Sequence, residues 1–144
     1  MKRPLVFLDA DVIFAGAAAP TEHGASHIVL ALGEMTLIEC LTSAQVVTEV
    51  ERNFGAKLPG KLPELRLLLS RSLKVVPDPE LDEMVPYHGL ADPKDLPILV
   101  TAVKHRCGFL LTFNTRHFRP PSSAIKVQRS GEFLATVRAL LTGI

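Results

Sequence analysis

Leu5-Val6-Phe7-Leu8-Asp9-Ala10-Asp11-Val12-Ile13 sets an apolar run directly against two aspartates that a single alanine separates. An unbroken run of this length is the pattern of a short strand covered on both faces, as strands of parallel sheets are. Asp9 then falls at the strand's carboxyl end, and in open parallel sheets ligands bind at that edge. Reading outward, the chain alternates strands with helices at a spacing that supports the same sheet. A helix is expected from about residue 24 to 32, where Ala25, Ile28, Val29 and Leu32 recur at helical spacing and Gly33 fits the end.

A strand over 36–41 follows, and Ser43 is placed to cap a helix carrying Val46, Val47, Val50 and Phe54, with Gly55 as its stop. Residues 63–72 read as a helix and residues 73–76 as a third strand, ended by Pro77 and Pro79. The acidic stretch 80–88, broken by Pro86, supports only a short helix. Beyond Asp92 the stripe Ile98, Leu99, Ala102 and Val103 makes another helix, closed by Gly108. Strands are expected over 109–112 and 125–128, then a terminal helix from Ser130 with Gly143 just past its end. Right-handed crossovers between such strands give a three-layer α/β/α fold with a mainly parallel central sheet of about five strands.

Composition narrows the class. At 144 residues the chain can bury a real core, and it reads as a single domain spanning 1–144. Apolar residues are 47% and charged residues 22%, a balance that excludes extended disorder. Lys plus Arg is 16 against 15 Asp plus Glu, so the net charge of +1 advertises no nucleic-acid partner, although a sum hides any local patch. Cys40 and Cys107 have no zinc or redox spacing and read as buried free thiols. Met1-Lys2-Arg3 imitates the front of a signal peptide, but Asp9 and Asp11 interrupt what would be its apolar stretch. No run approaches the roughly 18 apolar residues of a spanning helix, so a cytoplasmic protein with no membrane contact is expected.

Polar residues at the strand ends carry the chemistry. Asp9 follows the first strand, Asp92 and Asp95 precede a helix, and Asn114 follows Leu110-Leu111-Thr112-Phe113. Converging carboxylates repel one another unless a cation or protons compensate them. Mg²⁺ or Mn²⁺ suits the purpose: both prefer oxygen ligands, so no His or Cys cluster is needed. Each residue also has a plainer reading. Asp9 can cap a turn, and Asp11 can hold that turn through its side chain rather than touch metal. Glu49 and Glu51 flank the apolar stripe of their helix on opposite sides, and periodicity does not choose between them. Asp92-Pro93-Lys94-Asp95 is by itself a good helix opening, although Pro97 favours a start at Asp95. Asn114 suits a turn, and Thr115-Arg116-His117-Phe118-Arg119 is either a solvated basic loop or a place to hold a phosphate. His23, His27 and His105 form no triad with a serine elbow, which leaves serine-nucleophile hydrolase chemistry without support.

Taken together, the order of these motifs resembles the PIN-domain family across nearly the whole chain. Val6 to Ile13 is similar to the family's opening of strand, Asp, spacer and usually Asn, with Asp11 in place of that Asn. Thr42-Ser43-Ala44-Gln45-Val46-Val47-Thr48-Glu49-Val50 resembles its second motif, in which a helix begun by Ser presents a metal-binding Glu; the resemblance selects Glu49 over Glu51. Asp92 to Ile98 resembles the third motif and implies a ligand at Asp95 with Asp92 assisting. Leu110-Leu111-Thr112-Phe113-Asn114 resembles the fourth, where Asn114 stands for a more usual Asp and, with one negative charge fewer, favours one metal over two.

The resemblance implies an Mg²⁺- or Mn²⁺-dependent ribonuclease cutting phosphodiester bonds of single-stranded or structured RNA, with Asp9, Glu49 and Asp95 catalytic. Asp92 and Asn114 complete the metal set, Thr112, Arg116 and Arg119 contact substrate, and Asp11 and Ser43 support. Many small members are toxins of prokaryotic type II toxin–antitoxin pairs, which implies an antitoxin partner and a homodimer. Two other readings stay open: a haloacid-dehalogenase-like phosphatase using Asp9 as nucleophile, and a catalytically inactive PIN-like RNA- or protein-binding module.

Overall fold

In a computed structural model that describes residues 3–143, β1 (Leu5–Leu8) is the middle strand of five. Its neighbours are β2 (Glu39–Ser43) and β4 (Phe109–Leu111), and the edges are β3 (Leu73–Val76) and β5 (Lys126–Gln128), in the order β3-β2-β1-β4-β5. Every pairing is parallel, so each strand needs a crossover, and helices cover both faces. They are α1 (Ala10–Ala18), α2 (Gly24–Glu34), α3 (Ala44–Lys57), α4 (Leu62–Ser72), α5 (Leu81–Met84), α6 (Leu96–Lys104) and α7 (Ser130–Thr142). The architecture is the three-layer α/β/α fold the alternation implies.

Central position explains the opening run. Val6, Phe7 and Leu8 are fully buried, as are Leu110 and Leu111 on the adjacent strand, so neither strand has a polar face to show. At the β3 edge, by contrast, Lys74 and Val75 are exposed. From β1 the chain crosses to β2 on one side and reaches β4 on the other only much later. The order therefore reverses between β1 and β4, and the crevice at their carboxyl ends is the topological switch point.

Several boundaries differ from the sequence expectation, each for a local reason. Residues 10–18 form α1, which periodicity does not reveal because the segment is apolar and small almost all round. Asp9 opens it: the backbone there is extended, and its carboxylate accepts from Ala10 N at 2.8 Å. Gly33 does not end α2. The helix continues to Glu34 and closes with Leu37 N donating to Leu32 O, Thr36 taking the left-handed position at φ 60°. Residues 36–38 thus belong to a turn, and β2 starts at Glu39 rather than Thr36.

Gly33 is needed for packing instead, since a β-carbon there would lie 2.6 Å from Ser72 O and 3.0 Å from Cys40 Sγ. Gly108 likewise does not close α6; Arg106 takes the left-handed position at φ 55°, and Cys107 N donates to Ala102 O. Gly55 lies inside α3, which runs on to Lys57. Cys40 and Cys107 are both buried and free. Among the described residues no helix is long and apolar enough to cross a membrane. Met1 and Lys2, whose charge imitates a signal-peptide front, lie outside the described residues.

Candidate metal centre

At the switch point the register sets Leu8 beside Leu111, so the next residues, Asp9 and Thr112, meet where both strands end. Asp9 N donates to Leu111 O at 3.0 Å, and the Thr112 hydroxyl donates to Asp9 Oδ2 at 2.9 Å. With Ala10 N on Oδ1, both oxygens of this buried carboxylate are held. Burial, then the charge of Asp11 and more weakly that of Asp95, push Asp9 up to about 7 against the lowering effect of Thr112 and Ala10.

Asp11 sits in the first turn of α1 and reaches across to the loop after β4. Its Oδ2 accepts from Phe113 N at 3.1 Å and from Asn114 Nδ2 at 3.4 Å, which fixes that loop. Its Oδ1 is buried and has no hydrogen-bond partner. Burial raises the Asp11 carboxyl above its ordinary range, Phe113 N opposes that, and Glu49 adds to it.

Glu49 arrives from α3. Ser43 caps that helix by accepting from Val46 N at 3.3 Å, and Thr42, at the end of β2, donates to Leu8 O at 2.8 Å, tying the helix start to the end of β1. Glu51 is turned elsewhere and pairs with Arg66 at 2.9 Å. Asp95 stands at the start of α6 without making a capping bond, and Pro97 follows within the first turn, where its missing N–H costs nothing. Its carboxylate goes to His117 instead, 3.0 Å from Nδ1.

The outcome is one pocket of about 220 Å³ lined by Asp9, Asp11, Glu49, Asp95 and Asn114, with Gln45 and Lys94 among its other walls. Asp92 is not part of it. That residue lies beside His117 at 3.6 Å and Arg119 at 3.9 Å, on the far side of Asp95. Among the described residues, Asp92, Asp95 and His117 form the cluster of three whose ligand atoms lie within 4.8 Å of one another.

Arg116 lines a separate cleft with His117, Asn114 and Arg129, whereas Arg119 donates to Gly89 O at 3.1 Å and turns toward Asp92. His117 and Arg129 are the residues that motif reading does not single out. The signal for His117 lay in its loop, because Ala91 pairs with Phe118 and Asp92 N donates to His117 O, laying the 91–95 turn against 117–119.

The donor set suits a hard cation. Every ligand candidate in the pocket is an oxygen donor, neighbouring carboxylates add to the burial that raises Asp9 and Asp11, and Asp11 Oδ1 is left unmatched.

A parallel sheet whose switch point gathers carboxylates from the end of β1, from α3 and from the turn before α6 defines a class of α/β proteins with an acidic pocket at the carboxyl edge of the sheet. The chain belongs to the PIN-domain family, whose model matches residues 5–116. No curated protein matches it in sequence. Among solved structures it is similar to VapBC2 from Rickettsia felis, a complex bound to a DNA fragment from its promoter, at 18% identity and a TM-score of 0.62 over 85% of this chain and 98% of that one. It is also similar to Mycobacterium tuberculosis VapC20, described as a Sarcin-Ricin loop cleaving toxin, at 15% identity and a TM-score of 0.53 over 73% and 86%.

Proposed function

We propose that the chain is an Mg²⁺- or Mn²⁺-dependent endoribonuclease, hydrolysing phosphodiester bonds of single-stranded or structured RNA as the toxin of a type II toxin–antitoxin pair. The observation that carries this reading is the convergence of Asp9, Glu49 and Asp95, remote in sequence, on one pocket at the sheet's switch point. Family membership supports it, as do the structural neighbours, one of which is described as a Sarcin-Ricin loop cleaving toxin.

In this reading Asp9, Glu49 and Asp95 hold the cation, Asn114 lines the same pocket, and Asp92 stands outside it against His117 and Arg119. When bound, the cation supplies activation of water and neutralisation of charge on the phosphate. Thr112 keeps Asp9 aimed into the pocket, and Asp11 keeps the 112–114 loop in place. Arg116, with Arg129 across the same cleft, binds the phosphates on either side of the cut. An antitoxin protein restrains the enzyme, and the toxin works as a homodimer.

A phosphatase nucleophile at Asp9 is disfavoured by the same geometry. Lys94 does line the pocket, but both Asp9 oxygens already accept hydrogen bonds that restrict the carboxylate's freedom to attack in line.

The deciding experiment follows Mn²⁺-dependent cleavage of single-stranded RNA, with calorimetric titration of Mn²⁺ in parallel. Wild-type chain cuts and Asp9→Asn loses roughly 100-fold or more of that activity, together with most of its Mn²⁺ affinity. Undiminished cutting by Asp9→Asn refutes the proposal. RNA binding without any Mn²⁺ uptake makes the chain an inactive binding module.

A further inference from the structure

Beside the acidic pocket, and sharing Ala10, Asp11 and Glu49 with it, lies a larger cavity of about 340 Å³ that the proposed reaction leaves without a task. Its remaining walls are Phe14, Ala15, Ala18, Ala19, His23, Asn53 and Phe113. Two helices build it by the same device. Phe14 and Ala15 stand one turn after Asp11 on α1, and Asn53 stands one turn after Glu49 on α3, so each helix presents an acid and then a cavity wall along one face.

The walls are aromatic or very small. Phe113 and His23 face each other with ring centroids 5.8 Å apart and planes at 32°, and Phe14 is fixed edge-on against Phe54 at 5.1 Å. Ala15, Ala18 and Ala19 give up volume that larger residues would fill. Asn53 adds a donor and an acceptor beside the apolar walls.

We propose that this cavity is a nucleobase subsite, receiving one unpaired base of the single-stranded RNA whose backbone crosses the neighbouring acidic pocket. The inference rests on the ribonuclease reading above. Unpaired bases are recognised by stacking on aromatic faces and by hydrogen bonds to their edges, and here the rings of Phe14, His23 and Phe113 and the Asn53 amide line a space that shares Asp11 and Glu49 with the reacting pocket. On the other flank of the acidic pocket, reached through Asn114 and Phe113, lies the Arg116 and Arg129 cleft. That cleft shares Asn114 with the acidic pocket and Phe113 with the cavity, so base subsite, carboxylates and arginines meet around the loop after β4. A protein segment is the competing occupant, but the cavity opens onto Asp11 and Glu49, and the N–H donors on a base edge satisfy that border better than an aliphatic side chain does.

The test measures binding in EDTA, where no cleavage occurs, of labelled single-stranded RNA and of an equally long abasic ribose-phosphate oligomer. Wild-type chain binds the base-bearing RNA about ten-fold more tightly, the size of one base stack. Ala18→Leu, which fills the cavity, removes that preference and leaves abasic binding and its salt dependence unchanged. His23 is exposed, so His23→Ala reduces the preference without threatening the fold should Ala18→Leu fail to fold. Equal binding of the two oligomers by wild type overturns the proposal, as does an Ala18→Leu preference equal to wild type. Loss of a protein partner in Ala18→Leu with base preference intact assigns the cavity to that partner. Because EDTA removes the metal, a lost base preference in Ala18→Leu stands even if Mn²⁺-dependent cutting is absent, in which case the ribonuclease reading alone fails.

Discussion

Asp9 carries an electrostatic cost that only a cation or a proton relieves. Its folded carboxyl is raised to about 7 from 3.8, so the folded chain holds this proton more tightly than the unfolded one. The sign follows: between about pH 4 and 7 the metal-free chain loses stability as pH rises, and above 7 the loss is complete. The full difference corresponds to at most about 4 kcal/mol. Asp9→Asn therefore raises the melting temperature of metal-free protein at pH 8 and has a smaller effect at pH 5, as thermal scans in EDTA at the two pH values will register. A lower melting temperature for the variant at pH 8 contradicts that account. The cysteines offer a second check at this scale. Burial pushes both Cys40 and Cys107 up to about 12, with Glu39 adding to the effect at Cys107. Native protein at pH 8 is expected to resist thiol alkylation at both positions and to take up two equivalents on unfolding, counted by mass spectrometry.

At the scale of elements, glycines separate packing from propensity. Gly33→Ala drives a β-carbon into Ser72 O where α2 crosses the start of β3, and a loss of roughly 1–3 kcal/mol in urea unfolding is expected. Gly55→Ala meets open space inside α3 and gains about 1 kcal/mol. Arg106→Gly relieves a left-handed residue after α6 and gains about 1 kcal/mol in the same assay. The strands, their parallel pairing and most helices were legible because buried apolar runs and amphipathic stripes are local signals, whereas the order β3-β2-β1-β4-β5 was not. What escaped was non-local or unpatterned. α1 has no polar face to mark its period, and Gly33 and Gly108 imitate helix stops that Thr36 and Arg106 provide. In the site, Asp9, Glu49, Asp95 and Asn114 are motif positions and share a pocket, whereas Asp92 lies off to one side. His117 was hidden because its meeting with Asp95 depends on a bridge between residues 91 and 118, which sequence spacing does not reveal.

For the whole molecule, the carboxylates join segments as far apart as residues 9 and 95, so a cation held among them ties the sheet's two halves together. Saturation with Mn²⁺ at about 100 times its dissociation constant is expected to stabilise the fold by about 2.7 kcal/mol. Differential scanning calorimetry of wild type should show that gain, and Asp9→Asn should show little of it; an equal rise in both proteins places the ion elsewhere. The same layout bears on synthesis. Since β4 must slot between β1 and β5, a nascent chain leaving the ribosome has a bare flank on its central strand until residue 111 has emerged. Asp9 meanwhile lacks the Thr112 hydroxyl that aims it. A chain halted before residue 112 therefore lacks both the hydroxyl that holds Asp9 and the Asn114 wall, so the acidic pocket forms late in synthesis rather than with the strand that opens it.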